Sequence, residues 1–216
     1  REFNLAKADD YFRKAGWSER GPDGIRIKDG QRLSLRVTYS TDDHTPRLVV
    51  QKEDARKAGV ELTLQLLDGT SWYKQIMEKK HQIAWMSWSG GGIAPEYWQF
   101  YHSDNAHRPQ TNNVTNMANP VMDEKIMAYR TATDKDTRTR LAHELEQMVY
   151  DSGDYIPGYK VPYAREAFWR WLKTPPAHAT RISDSVFDPF GGSGGLFWID
   201  EAEKARQRDP QGKLLP

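Results

Sequence analysis

The residues of this chain with chemistry to offer are a few acids, six histidines, one serine set among glycines and a group of aromatic side chains. Glu96 stands beside Trp98, and Asp104 follows soon after. Two such carboxylates could serve a glycoside hydrolase. With 30 acids in 216 residues, however, acid pairs arise on any charged helix face. The histidines, at 44, 81, 102, 107, 143 and 178, show no HExxH or similar ligand spacing, so no metal site is expected. His102 and His107 share one polar stretch. Ser89 lies in Ser-Gly-Gly-Gly and not at a Gly-x-Ser-x-Gly nucleophile elbow. The glycines 90–92 lack both the Lys-Ser/Thr of a phosphate loop and the GxGxxG spacing. They offer backbone freedom and close approach of a ligand to the main chain. The absence of cysteine removes disulfides, thiol catalysis and thiolate-held zinc.

The aromatic group is the strongest local signal. Trp85, Trp88, Tyr97, Trp98 and Tyr101 surround the end of one expected strand and the glycines after it. In α/β sheets, ligands bind beyond the carboxyl ends of strands. Trp85 and Trp88 are an odd number apart, so on a strand they face opposite sides, one toward a core and one toward a cleft. A second aromatic group, Tyr163, Phe168, Trp169 and Trp171, surrounds Arg165 and Arg170.

The composition narrows what these residues can be doing. Lys+Arg number 31 against 30 acids, a net charge of +1, without the basic excess of a nucleic-acid binder. No run of about twenty apolar residues could span a membrane. Mean hydropathy is low, −0.83, yet there are 8 tryptophans. That combination points to aromatics at a surface or cleft as well as in a core. The chain opens on Arg1-Glu2-Phe3 with no initiator Met and no leader pattern, which reads as a piece of something longer.

The elements that must position these residues follow from periodicity. Leu5, Ala8, Phe12 and Ala15 share one face of a helix over 4–15, capped by Asn4 and closed by Gly16. Ile25 and Ile27, then Leu33, Leu35, Val37 and Tyr39, alternate as strands of a hairpin around Asp29-Gly30. Thr45-Pro46 opens a helix, with Thr45 as cap, that ends at Gly59. A strand over 60–66, a helix over 70–80 and a strand over 81–88 complete a strand–helix–strand–helix–strand run with parallel pairing expected. A short helix is expected within 93–101, then a polar loop over 102–118. Asn119-Pro120 caps the next helix, and Thr133 with Asp136 forms a capping-box-like start to another, on which Asp136 and Arg140 pair. Residues 155–171 have strand-like composition broken by Pro157, Gly158 and Pro162, and the remainder is loop-rich.

This order of motifs resembles a known family. NLAKADDYFRKAGW followed by the DGQRLSLRVTY hairpin, RKAGVELTLQLLDGTSWYKQI, and NPVMDEKIMAYRTATDKDTRTRLAHELEQMVYDSGDYIPGYKVPYARE are similar to segments of the family-five extracellular solute-binding proteins, the oligopeptide/dipeptide-binding components of ABC importers. The resemblance runs from about residue 3 to 172. IPGYKVPYAREAFWRW and FWIDEAEKAR are most similar to the subgroup that imports larger peptides and microcin C-like antibiotics.

The resemblance implies an α/β fold, the C-terminal lobe of a type II periplasmic binding protein-like fold with a mixed sheet flanked by helices. Residues 1–172 would form most of the second ligand-binding lobe, and 173–216 a segment returning toward a first lobe. It implies a periplasmic or extracytoplasmic receptor, monomeric and without enzymatic activity or cofactor. Such a receptor encloses a peptide or peptide-like solute and delivers it to membrane permease subunits. Relatives carry a Trp at the position of Trp88, an acid three residues on and a basic residue before. Here Gly91 and Trp85 stand in those places, so the charge clamp is missing. The expected contacts are therefore Trp88, Ser89, Gly90, Gly91 and Trp98, with Trp85, Asn112, Asn113 and Arg165. Main-chain capture of an extended peptide needs no charged partner. An oligosaccharide receptor on the same scaffold is the second reading, because aromatic faces also stack on sugar rings. A glycan hydrolase is the third.

Overall fold

The computed structural model describes residues 2–88, 95–159, 165, 167–175 and 197–207. They fall into two compact units, one of residues 1–88 with 96–154, the other of 89–95 with 155–216.

The first unit opens with helix α1 (Leu5–Lys14), whose Asn4 side chain accepts from Lys7 N at 2.9 Å as the sequence predicts. A small antiparallel sheet follows, β1 (Glu19–Arg20), β2 (Arg26–Lys28) and β3 (Gln31–Arg32). Its hairpin turns on Asp29 at φ 50° and Gly30 at φ 72°, the two left-handed positions that an Asp-Gly turn supplies. The expected continuous second strand is divided at Leu33. Leu33 N donates to Arg26 O in the hairpin, while Leu33 O accepts from Glu61 N of a different sheet.

That second sheet is the centre of the unit. Strand β4 (Ser34–Tyr39) leads through a 3-10 turn at Asp42–His44 into helix α2 (Thr45–Ala58). Strand β5 (Glu61–Leu66), helix α3 (Gly69–Met77) and strand β6 (Ile83–Ala84) complete it. The order is β5-β4-β6, all parallel, with Val37 opposite both Leu64 and Ile83. Strand β6 is two residues long and not the eight expected: before it the Gln82 side chain accepts from Arg36 N at 2.8 Å in place of a backbone carbonyl, and beyond it β4 ends at Tyr39. Thr45 also departs from expectation. It lies inside α2, behind His44, and its hydroxyl makes no cap bond.

Two apolar clusters hold this sheet. Val37, Tyr39 and Leu48 of α2 pack with Leu62, Leu64, Ile83 and Trp85. Ile76 and Met77 of α3 pack with Val114, Trp72, Ala84 and Met86. The odd–even split between Ile83/Trp85 and Ala84/Met86 is the strand alternation that separates two faces. Each fully buried aliphatic side chain contributes about 1.5–3 kcal/mol.

A four-residue helix α4 (Trp98–Tyr101) precedes an irregular stretch. Helices α5 (Pro120–Thr131) and α6 (Lys135–Ser152) follow, with Met122, Ile126, Tyr129, Leu141 and Leu145 buried. Asn119 caps α5, as the sequence predicts, through Val121 N and Met122 N at 3.0 and 3.2 Å. The cap of α6 is Asp134, which accepts from Thr137 N at 2.7 Å, in place of the expected Thr133. Arg140 pairs with Glu144 at 2.7 Å and not with Asp136, because Glu144 is the acid that also receives Lys125 of α5. No described helix is long and apolar enough to cross a membrane.

In the second unit, β7 (Leu172–Lys173) pairs antiparallel with β8 (Trp198–Ile199), and Asp200 caps helix α7 (Glu201–Arg206) through Glu203 N at 2.9 Å. Trp169 and Trp171 stack face to face, 4.9 Å apart and 6° from parallel. Among the described residues of 155–171 there is no strand.

Candidate functional site

The carboxyl ends of β4, β5 and β6 lie at one edge of the parallel sheet, because parallel strands end on the same side. Three connections leave from it, residues 40–44, 67–68 and 85–88. In the first, Thr45 Oγ1 donates to Asp42 Oδ1 at 3.0 Å, so the Tyr39 hydroxyl, 2.8 Å from Thr45 Oγ1, donates to it. His44 sits on Trp85, ring centroids 5.5 Å apart and tilted by 57°, and its Nδ1 is 3.3 Å from an Arg47 nitrogen. In the second, Asp68 accepts from Thr70 N at 3.1 Å and Ser71 N at 3.0 Å and starts α3. These bonds to Ser71 and Thr70 hold its carboxyl below the usual range.

The third connection carries the aromatic residues. Trp85 donates its backbone N–H to Thr38 O at 2.9 Å and packs on the α2 cluster. Trp88 is 42% exposed, and Phe100 of α4 meets it edge-on, 4.8 Å between centroids at 77°. One tryptophan packs inward and the other reaches out, as the sequence predicts. Trp98 opens α4, with His102 at 5.9 Å and the Arg130 guanidinium 5.3 Å over its ring. Tyr97 lies beneath α4, edge-on to Tyr129 at 5.0 Å. Its hydroxyl donates toward Ala142 O and Glu146, and burial, then Glu146, pushes its pKa up.

The polar stretch after α4 ties these pieces together. Asn105 Nδ2 donates to Trp98 O at 3.0 Å, and Asn112 Nδ2 to Gln99 Oε1 at 3.0 Å. Asn113 is fully buried. Its amide donates to His102 O and Met117 O, and its oxygen accepts from Met117 N. Its side chain therefore has no face left for a ligand. Lys79 donates to Thr111 O at 2.8 Å and Asn113 O at 2.7 Å, and burial pushes its pKa down. Burial first, and the charge of Lys79 second, lower that of His81.

The structure thus brings Trp88, Trp98 and Asn112 to the neighbourhood of α4, places Trp85 under His44, and turns Asn113 inward. Arg165 belongs to the second unit and is exposed there. Ser89, Gly90 and Gly91 lie outside the described residues. Sequence reasoning missed Phe100, Lys79 and the Tyr39–Thr45–Asp42 chain. The position of 40–45 directly after a parallel strand was the available signal for the last of these. Glu96 spends a carboxylate oxygen on Trp98 N at 3.0 Å, an ordinary local cap. Among the described residues no group of three or more His, Asp or Glu side chains could hold a metal ion. The arrangement offers an aromatic face with the Asn112 amide nearby.

The family model described as bacterial extracellular solute-binding proteins, family 5 Middle, matches residues 1–108. Protein XP55 of Streptomyces lividans is 30% identical over 156 residues, covering 69% of this chain and 28% of that protein. The solved oligopeptide-binding protein AppA of Bacillus subtilis, in complex with a nonapeptide, superposes with a TM-score of 0.63 at 21% identity. The match covers 70% of this chain and 30% of AppA. A periplasmic oligopeptide-binding protein of Thermotoga maritima, solved with mannohexaose bound, gives 0.62 at 15% identity, over 71% and 30%. The chain therefore spans about three tenths of the length of the relatives it matches.

Proposed function

The chain belongs to the bacterial extracellular solute-binding proteins of family 5, and we propose that it serves the substrate-binding component of an ABC importer for peptides or peptide-like solutes. The matched relatives are described as binding proteins, and this reading assigns the chain no enzymatic step. In this reading Trp88 and Trp98 give stacking faces for side chains of the ligand. Asn112 gives an amide at the edge. Closure of a second lobe over this face would bury the ligand, and the closed form would be handed to the permease.

The observation that carries this reading is the half-exposed Trp88 braced edge-on by Phe100 just past the carboxyl edge of the parallel sheet. An aromatic left uncovered there, in a family of binding proteins, is a wall waiting for a ligand. Oligosaccharide binding is the second reading, favoured by the mannohexaose bound to the Thermotoga relative.

Thermal-shift measurement on the complete polypeptide separates the two. A ligand at 100 times its Kd adds about 2.7 kcal/mol to the stability of the state that binds it. A pool of random pentapeptides is expected to raise Tm by several degrees, and Trp88→Ala to abolish the shift. A rise with mannohexaose and related glycans alone overturns the peptide reading. Turnover of a chromogenic glycoside that disappears in Glu96→Gln overturns the non-enzymatic one.

A further inference from the structure

Helix α4 cannot hold itself. It has four residues, and a single helical turn fixes more backbone than its bonds repay. Its position comes from α5, where Arg130 covers the Trp98 ring, and from the stretch that follows, through Asn105 to Trp98 O, Asn112 to Gln99 and Asn113 to His102 O. That stretch is itself irregular, with left-handed backbone at His107, Gln110 and Asn116. Residues outside glycine adopt such angles at a cost and keep them only where surrounding bonds impose them.

Some of these bonds lie within the stretch, as from His107 N to Asn116 Oδ1 at 2.8 Å, and others come from the end of α3. Gln110 N donates to Met77 O at 2.9 Å. Two residues beyond Met77, Lys79 takes left-handed backbone at φ 58°. Its ammonium donates to Thr111 O and Asn113 O, the residues on either side of Asn112. An ammonium presents three donors about one point, which suits it to gather two carbonyls of one turn. Charge-assisted bonds of this kind are roughly twice as strong as neutral ones.

We propose that Lys79 is a positioning residue for the binding face: by clamping the Thr111 and Asn113 carbonyls it aims Asn112 at Gln99 and so holds α4, with Phe100 edge-on to Trp88, where a ligand meets it. The assignment rests on the binding-face reading above for its consequence in affinity. Its structural half, from Lys79 to α4, stands without any ligand.

The test uses the complete polypeptide with Lys79→Met, Lys79→Arg and Asn112→Ala. Methionine keeps the apolar stem and removes both donors, whereas arginine keeps donors for the same carbonyls. Hydrogen exchange is read at 105–117 and at 98–102, near-UV circular dichroism reports the Trp88–Phe100 pair, and retention of a random pentapeptide pool reports binding. Lys79→Met is expected to speed exchange at least tenfold in both segments, weaken the aromatic signal and lower peptide retention at least tenfold, with Lys79→Arg restoring all three. Asn112→Ala leaves the Lys79 bonds in place and is expected to speed exchange at 98–102 alone. Unchanged exchange in Lys79→Met overturns the proposal, as does an Asn112→Ala that leaves 98–102 protected. Equal loss of peptide in Lys79→Met and Lys79→Arg with exchange unchanged makes Lys79 a ligand contact and overturns positioning. If Lys79→Met fails to fold, Asn112→Ala and Lys79→Arg still decide. If the unmutated protein retains no peptide, the functional reading fails while exchange still judges Lys79.

Discussion

Replacing Arg26 by methionine is expected to cost this protein more stability than any surface charge change. The side chain is 1% exposed. Its Nε donates to Ala58 O at 2.8 Å, one terminal nitrogen to Trp17 O at 2.8 Å and the other to Asp9 Oδ1 at 2.6 Å. The ring of Phe12 lies 4.6 Å beneath the guanidinium. One cation thus joins α1, the turn after it, β2 and the end of α2. Methionine conserves most of the stem volume, so the loss isolates the charged head. Exchanging a whole buried ion pair for apolar groups can be neutral, but here two of the three acceptors are backbone carbonyls that no substitution removes. Breaking such a set from one side costs about 3–5 kcal/mol, against a typical total of roughly 5–15 kcal/mol.

Urea unfolding followed by tryptophan fluorescence at neutral pH reads this loss, and calorimetry should show Tm falling by roughly 6–20 °C at about 2–4 °C per kcal/mol. The acid limb supplies an independent check. The bond from Arg26 holds the Asp9 carboxyl below its ordinary 3.8. A depressed carboxyl contributes stability that is present above its unfolded pKa and is lost as pH falls through the folded value. Arg26→Met should therefore flatten the pH dependence below about 4, where Asp9 titrates. A loss under about 1 kcal/mol, the scale of an exposed ion pair, or an unaltered acid limb would refute the reasoning.

Two further changes follow from the same physics. Gly59 closes α2 at φ 89°, and a Cβ there would lie 2.7 Å from Arg26 Cγ and 2.8 Å from an Arg20 nitrogen. Gly59→Ala should cost about 2 kcal/mol or more by urea unfolding, and the double variant with Arg26→Ala should lose less than the sum, since the clash with Arg26 Cγ is then gone and only that with Arg20 remains. Asn113→Ala deletes two buried hydrogen bonds to Met117 and a part-buried one to His102 O and should cost roughly 2–4 kcal/mol, with amide exchange of 110–117 rising before that of the β4–β5 pair.

What the sequence disclosed was local or periodic. The Asp29-Gly30 turn and the Asn4, Asn119 and Gly59 helix ends are set by residues within a few positions, so they read directly. The parallel run β4-α2-β5-α3-β6 was legible from alternation and from the length of its crossovers. The division at Leu33 was not, because both flanking strands alternate in phase and only the partner, Arg26 or Glu61, distinguishes them. Thr133 and Asp134 compete for one cap by a single position, and the bond to Thr137 N decides it.

The site shows where such reading stops. The outward position of Trp88 was legible from its odd spacing from Trp85 along a strand. Its brace, Phe100, looked like one more apolar residue of a short helix. The stretch after α4 was misjudged more deeply, since it read as a polar loop offering Asn112 and Asn113 to a ligand. Asn105 and Asn113 are in fact buried at 6% and 0% exposure. A segment without regular pairing must still satisfy its buried carbonyls and amides, and asparagine carries both a donor and an acceptor on a short arm. Polar composition in such a loop therefore signals internal bonding as readily as exposure. The same inversion applies to Lys79, whose two acceptors lie 32 and 34 residues away along the chain. A lysine at the end of a helix reads as a solvated charge until a distant loop is laid across it. The residues that hold this loop and α4 are thus the ones whose types most resemble surface, and only their partners reveal them.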